Sequence, residues 1–242
     1  MDNKSIDAIG GRLASGQSVL IASHVRPDGD AVGAVLGLGL ALKSAGKTVH
    51  MVLADGVPSS FRHLPGADEI KTAVEGEFDT FVTVDCADFK RVGKDLAHLR
   101  QPDINIDHHI TNEQFGVLNL VEGEEVATSA ILTNHLPAWG YPITAQVAAA
   151  LLTGIIPDTL GFRTSNVTPE AMRQVATLME TGVDMPDLYM RGLVRRSYAA
   201  ARYWARGLCN LERKDGIVYG SLSLEDRKAA GYSGADDADL IN

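Results

Sequence analysis

Apolar positions along this chain follow two rhythms. Short continuous apolar runs, Ser18–Ser23 (SVLIAS), Lys47–Ala54 (KTVHMVLA), Phe78–Val84 (FDTFVTV) and Asp103–Ile106 (DINI), read as buried strands. Between them the spacing turns helical. Ile6, Ile9 and Leu13 mark a short first helix, and Ala31–Ala45, rich in Ala, Leu and Gly, marks a second that stops at Gly46. Buried strands alternating with helices predict βαβ units and a parallel sheet with helices on both faces. Ligands of such open sheets sit outside the carboxyl ends of the strands. His24, Asp85 and Asp107 fall at those ends.

From about Ala127 the pattern is helical. Helices are predicted over Ala127–Trp139, Thr144–Ile156 and Pro169–Glu180, the last with Thr168 as N-cap and Gly182 beyond its end. A longer, broken helix follows from Asp187 to about Leu208. The rhythm then changes again: Leu208–Lys214 and Ile217–Leu222 flank Asp215-Gly216, a hairpin signal, and a short helix over Leu224–Ala230 comes next. The expected organisation is an α/β domain over 1–190, a helical connector over 191–207, and the start of a smaller α/β domain over 208–242. That last piece is too short to bury a core alone.

With 242 residues, 45% of them hydrophobic and 22% charged, the chain has the composition of a soluble globular protein. No apolar run is long enough to span a membrane, and MDNKSIDAIG lacks the basic start and apolar centre of a signal peptide. Cys86 and Cys209 form neither a disulfide framework nor a CxxC pair, so a cytoplasmic location is expected. The net charge of −9 argues against a surface that coats nucleic acid. It leaves room for a phosphate substrate, because a bound divalent ion reverses the local sign.

Four motifs end predicted elements: HVRPDGD at 24–30, VTVDCAD at 82–88, DHH at 107–109 and GIIPDT at 154–159. A turn needs Pro and Gly and one acid; it needs neither His24 nor both Asp28 and Asp30. Mixed carboxylate and imidazole ligands suit Mn²⁺, Fe²⁺ or Co²⁺, and all-oxygen sites suit Mg²⁺. Four carboxylates balance two divalent ions, and two ions about 3.5–4 Å apart clamp a phosphoryl group. Asp28 and Asp30, one residue apart, can face different ions, and Asp85 is placed to bridge them. Taken singly each motif has a plainer role: PDGD as a turn, Asp85 as a helix N-cap, Asp158 as a turn cap, the histidine pair as a strand end. Four together in an α/β pattern point to a site.

HVRPDGDAVG, VTVDCAD, INIDHH and GIIPDTLGF resemble, in order and spacing, the four N-terminal motifs of the DHH phosphoesterases. The branch most similar is that of the nanoRNases and 3′,5′-bisphosphate nucleotide phosphatases, and the likeness runs from about residue 18 to the end. It implies a two-domain Mn²⁺-dependent hydrolase with two ions per chain, Mg²⁺ or Co²⁺ being alternatives. Carried over by residue, His24, Asp28 and Asp85 hold one ion, and Asp30, Asp85, His108 and Asp158 hold the other. His109 faces the scissile phosphate, Asp107 supports it from behind, and activated water is the nucleophile. The implied substrates are short RNA oligonucleotides or nucleoside bisphosphates; homodimers are common among relatives. Sibling activities on cyclic-dinucleotide products, pyrophosphate or polyphosphate, and a non-catalytic nucleotide sensor, are the alternatives. Two departures stand out. The fourth motif reads Pro157-Asp158-Thr159-Leu160-Gly161 where the family has Thr-Asp-Thr-Gly, and the Gly-rich GGGH segment of the second (DHHA1) domain does not occur, which implies a truncated second domain.

Other features have plainer readings. Gly33, Gly37 and Gly39 lie within a helix, as small residues for close packing. Cys86 reads as a buried strand-end thiol rather than a nucleophile. Arg191, Arg195, Arg196, Arg202 and Arg206, with Tyr198, Tyr203 and Trp204, read as a connector rather than a base-stacking surface. His50, His63, His98 and His135 lack acidic partners at ligand spacing and receive no role.

Overall fold

A computed structural model describes residues 3–234, which form two compact units that meet between Leu193 and Val194. In the first, helix α1 (Asn3–Ser15) leads into strand β1 (Ser18–Ala22), helix α2 (Gly29–Ser44) and strand β2 (Thr48–Val52). Strands β3 (Thr80–Val84), β4 (Ile104–Asp107) and β5 (Leu118–Val121) follow, then helices α3 (Thr128–Ala138), α4 (Ala145–Asp158), α5 (Pro169–Met179) and α6 (Met185–Tyr189). The five strands form one parallel sheet in the order β2-β1-β3-β4-β5. The order reverses direction between β1 and β3, which makes that gap the crevice where ligands of such sheets bind.

The sheet is dry on both faces. Val19, Ile21, Val82, Val84, Ile104 and Ile106 face a large core built with the apolar sides of the helices. Leu20, Ala22, Phe81 and Cys86 face a smaller cluster with Val92 and Leu96. That second face is covered by loops and a 3₁₀ turn (Phe89–Val92) instead of an α-helix. Gly93, at φ 105, follows that turn: the chain leaves it in a conformation that an L side chain rarely adopts, and a Cβ there would stand 2.6 Å from the Cβ of Ala54.

Three expectations need correcting. Strand β5 was not predicted; it is a four-residue edge strand in which Asn119 interrupts the apolar run and folds back onto Gly116, accepting from its N–H at 2.9 Å and donating to its carbonyl at 2.8 Å. Asp30 is not part of a turn. Helix α2 begins at Gly29, so Asp28 is its N-cap, accepting from the N–H groups of Asp30 and Ala31, and Asp30 lies in the first turn. His135 does have an acidic partner, Glu122, at 3.1 Å.

The second unit begins at Val194. Helix α7 (Tyr198–Cys209), capped by Ser197, precedes the antiparallel hairpin β6 (Glu212–Lys214) and β7 (Ile217–Tyr219) and helix α8 (Leu224–Ala230). Its small core joins Ala200, Tyr203 and Ala230, with Tyr203 and Tyr232 stacked at 5.5 Å. Two of its arginines are engaged locally: Arg206 pairs with Asp226, and Arg202 donates to the Ala229 carbonyl. Ile217, Val218 and Leu224 are exposed. The expected domain start over 208–242 is described only to residue 234; the remainder lies outside the described residues. Among the described residues no helix is long and apolar enough to cross a membrane.

Candidate metal centre

The crevice between β1 and β3 collects its side chains from five elements. His24 comes from the loop after β1, Asp85 follows β3 directly, and Asp107 ends β4 with His108 and His109 after it. Asp28 and Asp30 come from the start of α2, and Asp158 from the last turn of α4. Helices α2 and α4 bring the last three together by crossing at close range.

Asp85 is the hub. It is buried, and its backbone sits at φ 51, in the left-handed region that Asp tolerates better than most residues. Its N–H extends the β3–β4 ladder by donating to the Ile106 carbonyl at 2.9 Å. One carboxylate oxygen lies 3.5 Å from His24 Nε2; the other lies 3.7 Å from His108 Nε2 and 3.6 Å from His109 Nδ1. Asp85 therefore ends a strand and does not cap a helix.

Ligand atoms converge in three overlapping groups: His24, Asp28 and Asp85; Asp30, His108 and Asp158; and Asp85, His108 and His109. Within each group they lie within 4.8 Å of one another. All six candidate ligands and His109 are thus brought together. Asp107 stands behind them. It is fully buried, and its Oδ1 accepts from His109 Nδ1 at 2.8 Å. A donor set of carboxylates and imidazoles, packed this closely with few cations to offset it, fits a divalent metal.

The clustered carboxylates and imidazoles shift one another's pKa values in opposite directions. Burial and the neighbouring carboxylates push the Asp158 carboxyl up to about 10. Burial, and then the Asp85 charge, hold Asp30 well above the usual carboxylate range. Asp85 goes the other way: burial would raise it, but the hydrogen bond and charge of His24, with His108 and His109, outweigh that and lower it. His109 is raised to about 9, chiefly by its hydrogen bond to Asp107. Burial pushes the Cys86 thiol up to about 12, and its Sγ donates to the Asp88 carbonyl at 3.2 Å, so no thiolate nucleophile is available there.

Sequence reasoning missed the residues that hold these ligands. The N-cap position of helix α3 is Ala127, whose side chain caps nothing. Its unpaired Thr128 and Ser129 N–H groups donate instead to Asp30, at 2.6 and 2.9 Å, while Thr128 Oγ1 donates to Asp85 Oδ1 at 3.2 Å. A helix start without its own cap was the signal. Asn112 Nδ2 reaches Asp107 Oδ2 at 2.6 Å, the Cys86 carbonyl at 3.1 Å and Asn105 Oδ1 at 3.3 Å. Asn105, fully buried in β4, donates to the same Cys86 carbonyl at 3.1 Å. The signal there was a polar residue inside a four-residue buried strand.

The chain matches the family described as DHH family, N-terminal domain, over residues 18–155. It is 41% identical over 173 residues to the bifunctional oligoribonuclease and PAP phosphatase NrnA of Thermus thermophilus, covering 70% of this chain and 52% of that protein. It is 29% identical over 160 residues to a probable manganese-dependent inorganic pyrophosphatase of Enterococcus faecalis, covering 63% and 51%. The chain spans about half the length of the curated relatives it matches. Its fold is similar to that of an exopolyphosphatase-related protein of Bacteroides fragilis, with a TM-score of 0.89 and 25% identity, over 100% of this chain and 76% of that one.

Proposed function

Because this chain belongs to the DHH family, we propose that it is a metal-dependent phosphoesterase acting on short oligoribonucleotides, nucleoside 3′,5′-bisphosphates or both. The observation that carries the reading is Asp85, whose two oxygens face different histidine groups. We assign His24, Asp28 and Asp85 to one divalent ion and Asp30, Asp85, His108 and Asp158 to a second, with Mn²⁺ the preferred metal. The name of the manganese-dependent relative supports that choice. When bound, such ions supply Lewis acidity and lower the pKa of water for an in-line displacement at phosphorus.

The chain's own residues do the rest. Asp107 keeps His109 in its charged form and uses its Nδ1–H, which leaves the Nε2–H to donate to a phosphate oxygen. Thr128 keeps the carboxylates of Asp30 and Asp85 in place despite their like charge. The unit from Val194 is read as the start of a DHHA1-like substrate domain. Free Cys86 and Cys209 suit a reducing cytoplasm.

The test is a hydrolysis panel with Mn²⁺: an RNA dinucleotide, adenosine 3′,5′-bisphosphate, a linear cyclic-dinucleotide product and pyrophosphate. Turnover of the first or second is expected. Turnover of pyrophosphate alone, or tight nucleotide binding without product, would overturn the reading.

A further inference from the structure

Among the described residues, one guanidinium beside the candidate site has no carboxylate partner. Arg91 belongs to the 3₁₀ turn Phe89–Val92, whose start is capped by Asp88. Its carbonyl accepts from the Val25 N–H at 2.6 Å, which ties the turn to the loop carrying His24. Its Nη2 lies 3.5 Å from His24 Nδ1. That nitrogen already has an acceptor, the Val25 carbonyl at 2.9 Å, so the guanidinium keeps its donors unspent. Among the described residues Arg91 forms no salt bridge, whereas Arg12, Arg100, Arg173, Arg191 and Arg206 each pair with an acid.

Its position gives that charge a use. His24 and His109 approach opposite oxygens of Asp85, and Arg91 lies at the Nδ1 edge of His24, whose Nε2 faces Asp85. Four carboxylates and two divalent ions cancel. What remains on the His24 side is the net positive charge of a planar fork that matches two oxygens of one phosphate.

We propose that Arg91 binds a phosphate group of the substrate on the His24 side of the site, across Asp85 from His109. The proposal rests on the phosphoesterase reading and deepens it: recognition there is of the phosphate, not of the base.

The probe is adenosine 5′-monophosphate, titrated by calorimetry into the Mn²⁺-loaded 242-residue chain, with adenosine as the phosphate-free control. Arg91→Ala should weaken binding of the monophosphate about tenfold to a hundredfold and Arg91→Lys less. Affinity for adenosine, affinity for Mn²⁺ and the melting temperature should stay unchanged. Arg173→Ala, at an exposed pair on α5, should match the wild type. Equal monophosphate affinity in Arg91→Ala would overturn the proposal. So would a matching loss of Mn²⁺ affinity, which would make Arg91 a support for His24. Failure of the phosphoesterase reading looks different: the wild type itself would bind Mn²⁺ yet hydrolyse nothing and ignore the monophosphate, and the Arg91 proposal would fall with it.

Discussion

Gly33 and Gly154 touch backbone to backbone: a Cβ on Gly33 would stand 2.8 Å from the Gly154 nitrogen and 2.6 Å from the Ala150 carbonyl oxygen. This contact between α2 and α4 sets the distance between Asp30, one turn before Gly33, and Asp158, one turn after Gly154. A Cβ on Gly154 would stand 2.8 Å from Asp30 Oδ1 itself. Backbone cannot yield as a side chain does. Gly33→Ala is therefore expected to cost about 1–3 kcal/mol of stability in urea unfolding and to weaken Mn²⁺ binding as well. A variant with wild-type stability and metal affinity would show that the close crossing is not needed.

Asp107 is expected to govern the charge of His109. In the metal-free protein His109 should titrate near 9, and in Asp107→Asn it should fall back toward 6.5, as followed by NMR of the imidazole. The folded-state value lies above the unfolded one. The stabilisation from this pair is therefore full below pH 6.5 and is lost as pH rises through 9. An unchanged titration in Asp107→Asn would remove Asp107 as the cause.

Asn112 should matter more than a surface-loop asparagine. Asn112→Ala leaves a buried Asp107 oxygen without its donor, at a cost of about 1–3 kcal/mol. Asn112→Asp should be worse, because it sets a second carboxylate against Asp107. Thermal unfolding that ranks Asp at or above Ala would contradict the network.

Metal binding should release protons. Asp30 and Asp158 have raised carboxyl pKa values in the metal-free chain, and both must ionise to act as ligands. Affinity for Mn²⁺ should thus rise with pH through neutrality. Calorimetry in buffers of different ionisation enthalpy should show net proton release. A pH-independent affinity would mean that these two acids are not ligands.

The fold was legible where burial alone dictates the pattern. SVLIA, TFVTV and the long Ala- and Leu-rich helix α2 are built mostly of apolar and small residues with few charges, and only a buried strand or helix accommodates that. Strand β5 was not legible, since Asn119 breaks its run and its hydrogen bonds serve the preceding turn. The expected long helix from Asp187 breaks around residues 190–197, where a π turn ends at Val194 and Ser197 caps a fresh start. At the site, ligand types were readable because a turn or strand end does not need His24, Asp85 or His108. The supports were not. No local spacing reports a contact between Thr128 and Asp30, 98 residues apart, and Asn112, though only five residues from Asp107, sits in a loop whose path back to β4 follows no periodic pattern.

The most direct measurement is the Mn²⁺ stoichiometry of the wild type and of Asp85→Asn by calorimetry. Asparagine is tolerated at the left-handed backbone of this position, so the fold is expected to survive while the shared charge is lost. Two ions per wild-type chain, with at least one lost in Asp85→Asn, is the predicted result. A single ion in the wild type, or unchanged binding in the variant, would contradict a two-ion centre built on Asp85.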